Sequence, residues 1–131
     1  MVVLDGYGNK SVAGLPQIAL LEKPSRDFLI WFTGFLEADG HVRHETNHML
    51  KVTQAGKKGK QQCMMIRDMF NEVGSVHVRD YNEREGRETN NWDKCYEWVV
   101  TDPEVIAEIL EWVEPFADPH TKVKDEFEHY L

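Results

Sequence analysis

Between Arg26 and Ala38 the chain reads RDFLIWFTGFLEA, a segment that is apolar on nearly every side of a helix. Phe28, Trp31, Phe32, Phe35 and Leu36 recur at helical spacing, and Ser25, directly after Pro24, supplies an N-cap. A helix apolar all round is expected to be buried, so the remaining elements have to be arranged around it. Asp39-Gly40 ends the segment, and the pattern then changes from helical to alternating.

His41 to Glu45 and His48 to Gln54 read as two strands joined by a short turn at Thr46-Asn47, where Asn47 tolerates a positive φ. With Glu45 facing His48, His41 faces Val52, and Gln54 returns beside Asp39. Residues 60–73 predict a helix with Met64, Met65, Met69, Phe70 and Val73 as its apolar stripe, and Gly74 stands where a C-cap glycine belongs. Val76 and Val78 alternate with His77, Arg79 and Tyr81, and Tyr96, Trp98 and Val100 alternate with Cys95, Glu97 and Val99. These are two more strands around a polar loop. Asp102-Pro103 opens a helix whose buried face is Val105, Ile106, Ile109, Leu110 and Val113, and Asp118-Pro119 repeats the start signal for a last helix. Trp98, Trp112, Phe116 and Phe127 are assigned to the core. The order predicts an α+β fold, α-β-β-α-β-β-α, in which helices cover one face of an antiparallel sheet and leave the other open. Residues 1–24, broken by Gly6, Gly8, Gly14, Pro16 and Pro24, read as an irregular arm ahead of a domain spanning 25–131.

A length of 131 residues suits one domain with a real core. No apolar run is long enough to span a membrane, and no secretory signal pattern opens the chain, so an intracellular setting is expected. Cys63 and Cys95 lack metal-site spacing, which suits free thiols in a reducing compartment. His41, His44 and His48 do not make a zinc site, because alternation sends His41 and His44 to opposite faces. The net charge is −8, which opposes a simple nucleic-acid reading. It is unevenly placed: residues 41–87 hold nine Lys/Arg against six Asp/Glu, or +3, while residues 88–131 hold three against twelve, or −9. A mildly basic middle ahead of an acidic tail can steer one face toward a polyanion.

Phe32-Thr33-Gly34-Phe35-Leu36-Glu37-Ala38-Asp39-Gly40 resembles the signature of the LAGLIDADG homing endonucleases. Further likeness lies in Val52-Thr53-Gln54, Val73-Gly74 with Val78-Arg79-Asp80, and Pro115-Phe116 with Lys122, so that it covers roughly residues 25–126. The motif is present once, and single-motif members of the family are homodimers. The resemblance implies a saddle-shaped antiparallel sheet and magnesium-dependent cutting of a long pseudo-palindromic double-stranded DNA target, with manganese able to substitute. It suits an intron-encoded gene, with an inteinic or a free-standing gene as alternatives.

The motif also has a physical logic of its own. Gly34 and Ala38 share one helix face, and small residues there let two helices approach closely. A two-fold axis through that face, which Phe35 flanks, brings Asp39 near its own copy, and paired carboxylates call for divalent cations between them. Such a site suits phosphodiester hydrolysis. The resemblance then makes Asp39 the metal ligand, assisted by the Ala38 backbone carbonyl, with Glu37 in a structural position at the helix end. It gives Gln54 the orientation of the attacking water, Lys58 a contact to phosphate or water, and Lys122 support of the transition state. Asp118, Pro119 and His120 add residues before that lysine, so Lys124 is an alternative to Lys122.

Alternation places His41, Arg43 and Glu45 on the open sheet face, with Met49, Lys51 and Thr53 from the second strand. His77, Arg79, Tyr81 and Glu97 continue it. A β-ribbon fits the major groove, where Arg or Lys reads guanine, so the DNA-binding set is His41, Arg43, Glu45, Lys51, Thr53, His77, Arg79, Tyr81 and Glu97. A polar solvent face is the alternative for each of these residues. Three other functions stand beside cleavage: an RNA-binding maturase, a non-cleaving DNA-binding regulator and an α+β interaction module. No membrane partner is expected, and residues 1–24 are either disordered or in contact with the DNA flanks.

Overall fold

In the computed structural model the described residues are 2–4, 10–12, 16–44, 47–80 and 94–118. The long apolar segment forms helix α2, Arg26–Asp39, after a short two-stranded sheet (β1, Val2–Leu4; β2, Lys10–Val12) and a four-residue helix α1, Gln17–Leu20. Ser25 caps α2 as expected, its hydroxyl accepting from the Phe28 amide at 3.2 Å, and Asp27 complements the dipole in the first turn. The helix buries Phe28, Leu29, Phe32, Thr33 and Leu36, and the Thr33 hydroxyl donates to the Leu29 carbonyl at 2.6 Å, which satisfies it in an apolar setting. The expectation of burial on all sides does not hold within one chain. Ile30 is 43% and Trp31 37% exposed, and Gly34 and Ala38 lie on that uncovered side.

The helix passes into strand β3, Gly40–Arg43, without a loop. Only glycine permits this approach, since a Cβ at Gly40 would stand 2.6 Å from the Leu36 carbonyl oxygen. Strands β4 (Met49–Ala55), β5 (Ser75–Asp80) and β6 (Lys94–Val100) complete an antiparallel sheet in the order β3-β4-β6-β5. The first hairpin is one residue out of the expected register. His41 pairs with Lys51, and Val52 faces Gly40. Alternation explains the difference: His41 is exposed while Val52 is 0% exposed, and a one-residue slip would put both on one face.

Helix α3, Gly56–Met69, begins four residues earlier than expected and ends at Phe70, not Gly74. The chain leaves it through Asn71 (φ 58°) and Glu72 (φ 61°). Gly74 instead serves the turn into β5. Its φ is +94°, and a Cβ there would collide with the Trp98 indole nitrogen. Trp98 is fully buried, donates to the Val73 carbonyl at 3.2 Å, stacks on Phe70 and meets Phe32 edge-on. Helix α4, Pro103–Val113, starts on the expected cap, Asp102 accepting from the Glu104 amide at 2.9 Å, and buries all five expected residues. A 3₁₀ turn, Glu114–Phe116, follows. Trp112 and Phe116 pack partly buried against the core. The element order is the one read from the sequence, α+β with its helices on one sheet face.

The N-terminal stretch is more regular than its glycines suggest. Beyond the β1–β2 pair, Ile18, Leu20 and Leu21 pack on the core, and Asn71 donates to the Leu20 carbonyl at 2.7 Å. Phe127 and the helix expected after Asp118-Pro119 lie outside the described residues.

Candidate functional site

Helix α2 delivers Asp39 at its last turn, and β4 delivers Gln54 from the helix-facing side of the sheet. The two meet: Gln54 Nε2 donates to Asp39 Oδ2 at 2.9 Å and to its neighbour's carbonyl, Thr53 O, at 2.8 Å. The amide is thereby oriented and holds one carboxylate oxygen. Gly56, at φ +77°, turns the chain from β4 into α3, and Gly59 lets the first turn of α3 close on Gln54. A Cβ at Gly59 would lie 2.7 to 2.9 Å from Gln54 backbone and Cβ atoms. Lys58 stands exposed on that turn, with Lys57 and Lys60 beside it. Glu37 is tied structurally, its Oε1 accepting from the Asp118 amide at 2.9 Å. Lys122 and Lys124 lie outside the described residues.

The open face of the sheet is ordered in rows. His41, Lys51, Val99 and Ser75 form one row across the four strands, and Thr53, Glu97 and His77 form the next. Arg43 pairs with Met49, and Arg79 with Cys95. Exposure differs along the face. His41 and Arg43 are exposed, Lys51, Thr53 and His77 are half-buried, and Glu97 is 4% exposed. Lys51 Nζ lies 3.8 Å from Glu97 Oε1, and the Ser75 hydroxyl and His77 Nε2 are hydrogen-bonded at 2.9 Å. Glu45 and Tyr81 fall outside the described residues.

The uncovered side of α2 carries Ile30, Trp31, Gly34 and Ala38 in one stripe, with Phe35 half-buried at its edge. A Cβ at Gly34 meets nothing within 4 Å. Among the described residues no three His, Cys, Asp or Glu side chains gather as a metal site. Among the described residues, Asp39 is the carboxylate at the end of this stripe.

Sequence reasoning missed three of these features. Ser75 sits two residues before His77, so strict alternation includes it. Trp31 reads as core because helical periodicity does not say which of two apolar faces the same chain covers. Gly59 gives only the weak signal of a glycine inside a helix.

This arrangement, a four-stranded antiparallel sheet backed by helices with α2 entering its first strand, is the homing-endonuclease fold. The chain is similar to the homing endonuclease I-CvuI solved with the I-CreI target (C1221) in 2 mM Mg, where the DNA is not cleaved: TM-score 0.55, 18% identity, over 80% of this chain and 66% of that one. It is similarly close to I-CvuI bound to its target Sro1.3 in 2 mM Ca, with TM-score 0.52 and 18% identity over 79% of this chain and 65% of that one. The chain thus spans about two thirds of the length of these structures. No family model and no curated protein matches the sequence. No described helix is long and apolar enough to cross a membrane.

Proposed function

We propose that this chain is one subunit of a homodimeric, divalent-metal-dependent endonuclease that cuts a long pseudo-palindromic site in double-stranded DNA. The observation that carries the reading is the Gln54–Asp39 hydrogen bond at the end of a helix whose glycine–alanine face is uncovered. Helix contact between two copies through Gly34 and Ala38 brings the two Asp39 residues together under the sheet faces. That Asp39 stands alone as a carboxylate at the stripe's end among the described residues suits a site shared between copies, and hard oxygen donors suit magnesium. Asp39 and the Ala38 carbonyl would hold that ion, which supplies charge neutralisation at the scissile phosphate and a more acidic attacking water.

The chain's own residues divide the rest of the work. Gln54 fixes the Asp39 carboxylate and, with its amide already oriented by Thr53 O, presents a polar group to the attacking water. Lys58 offsets phosphate charge from the start of α3, where the helix dipole adds to it. Lys122, with Lys124 as the alternative, supports the transition state. His41, Arg43, Lys51 and His77 face the major groove together with Thr53, and Arg79 follows His77 two residues on in β5.

Asp39→Asn is the decisive variant. It keeps the shape and removes the charge, so nicking falls by several orders of magnitude while fold, dimer and DNA binding persist. EDTA mimics the variant, and added magnesium rescues only the wild type. Gel-shift and nicking assays on one selected site decide it: near wild-type cutting by Asp39→Asn overturns the mechanism. Binding without cutting in magnesium or manganese makes the protein a maturase or a non-cleaving regulator.

A further inference from the structure

Glu97 stands in the middle of the open sheet face, between Thr53 and His77. A carboxylate there repels phosphates, and an acid that reads cytosine must expose its oxygens to the groove. The Glu97 side chain is 6% exposed, so it presents almost no acceptor surface to a base. A buried charge persists only when partnered. One of its partners is Lys51, on the adjacent strand and diagonal to it, since Glu97 pairs directly with Thr53 and Lys51 with Val99. Diagonal neighbours on a sheet are within reach of long side chains. Lys51 lies in the inner strand β4, flanked by His41 on β3, and its side chain is 22% exposed. A lysine stem is flexible and its ammonium is a point charge, so an unheld Lys51 would settle on whichever phosphate or base came near.

Building on the DNA-binding reading above, we propose that Glu97 is a positioning residue, which reads no base itself but holds the Lys51 ammonium in place so that Lys51 presents one oriented donor to the major groove. The carboxylate also offsets the attraction of Lys51 for any phosphate. Sequence discrimination at the position under Lys51 therefore depends on an acid that the DNA does not touch. A merely structural Glu97 would alter stability and leave discrimination as it was.

The test uses the full chain as wild type, Lys51→Gln, Glu97→Gln and the double variant, each selected against a pool of randomised 30-base-pair duplexes. Base preferences are then compared position by position, with thermal unfolding measured alongside. Lys51→Gln erases preference at a symmetric pair of positions. Glu97→Gln dims the same positions by about tenfold, within the range for one base contact, and binds unselected duplexes more tightly at low salt. The double variant discriminates no worse than Lys51→Gln, as expected of two residues acting in one path. Glu97→Asp, which keeps the charge but withdraws it from Lys51, dims them too and serves if Glu97→Gln does not fold. An unchanged preference profile in both Glu97 variants overturns the proposal, as does a loss at positions that Lys51→Gln leaves intact. If the wild type enriches no sequence, the DNA-binding reading fails and this proposal with it.

Discussion

At the scale of single residues, the contact between Asp39 and Gln54 depends on how closely α3 lies against β4. Gly59 sets that distance, because any larger residue would push on the Gln54 backbone. Gly59→Ala should cost roughly 1–3 kcal/mol of stability, as overpacking does, and should reduce nicking more than DNA binding. Urea unfolding beside a nicking assay checks this; full activity would detach Gln54 from the site. The two thiols make a second residue-scale case. Cys63 is fully buried and its pKa is pushed up to about 11, mainly by loss of hydration, with Glu97 adding to the rise and the Trp98 backbone opposing it. At pH 8 about one Cys63 in a thousand is thiolate, and the thiolate is the reactive form. A thiol-reactive dye should therefore label half-exposed Cys95 quickly and Cys63 only on unfolding; equal rates in the native protein would contradict the packing. Gln54 beside Asp39 was legible in the sequence even though the hairpin register was one residue off. A one-residue shift still leaves the end of β4 beside the end of α2, and the Gln54 amide closes the distance to Asp39 with a 2.9 Å hydrogen bond.

At the scale of elements, what the sequence displayed best was where helices start. Ser25 and Asp102 cap helices as read, because an N-cap is a local event between a side chain and the next turn. Helix ends were less legible. The α3 terminus at Phe70 uses Asn71 and Glu72 in left-handed conformations, and a glutamate there carries no local signal. Gly74 has the sequence position of a cap but answers to Trp98, a residue 24 positions away. The same separation of local and distant causes explains α2. Its periodicity shows an apolar helix, but one chain covers only the Phe28–Leu29–Phe32–Leu36 side. Gly34→Leu tests what covers the other. The substitution meets no atom of its own chain within 4 Å of the new Cβ, so secondary structure should be kept while helix-to-helix approach is blocked. Sedimentation should then show about half the wild-type mass, and cleavage should vanish. A monomeric variant that still cuts both strands would remove the dimer from the mechanism.

At the scale of the whole molecule, a net charge of −8 bears on the proposed polyanionic partner. The elements separate the signs. Helix α4 and the turn after it carry Glu104, Glu108, Glu111 and Glu114, whereas the start of α3 carries Lys57, Lys58 and Lys60, and β3 exposes His41 and Arg43. Charges farther from DNA than about 10 Å are largely screened at ordinary ionic strength, so on the proposed reading, with the open sheet face against DNA, an acidic helix on the other sheet face should weaken binding less than its charge suggests. The cations near phosphate act at contact, and each one that neutralises a phosphate releases a counterion. Target affinity should therefore fall steeply between low and physiological salt. Lys58→Ala should flatten the slope of log K against log salt by roughly 0.9 per subunit, the value for one phosphate contact on duplex DNA. Glu108→Gln removes a charge of the other sign from the far helix and should leave that slope unchanged, though association at very low salt should quicken slightly. Titrations of one duplex at four or five salt concentrations separate the two variants. Equal slopes for wild type and Lys58→Ala would mean that Lys58 does not touch phosphate, and an affinity indifferent to salt would argue against a DNA partner altogether.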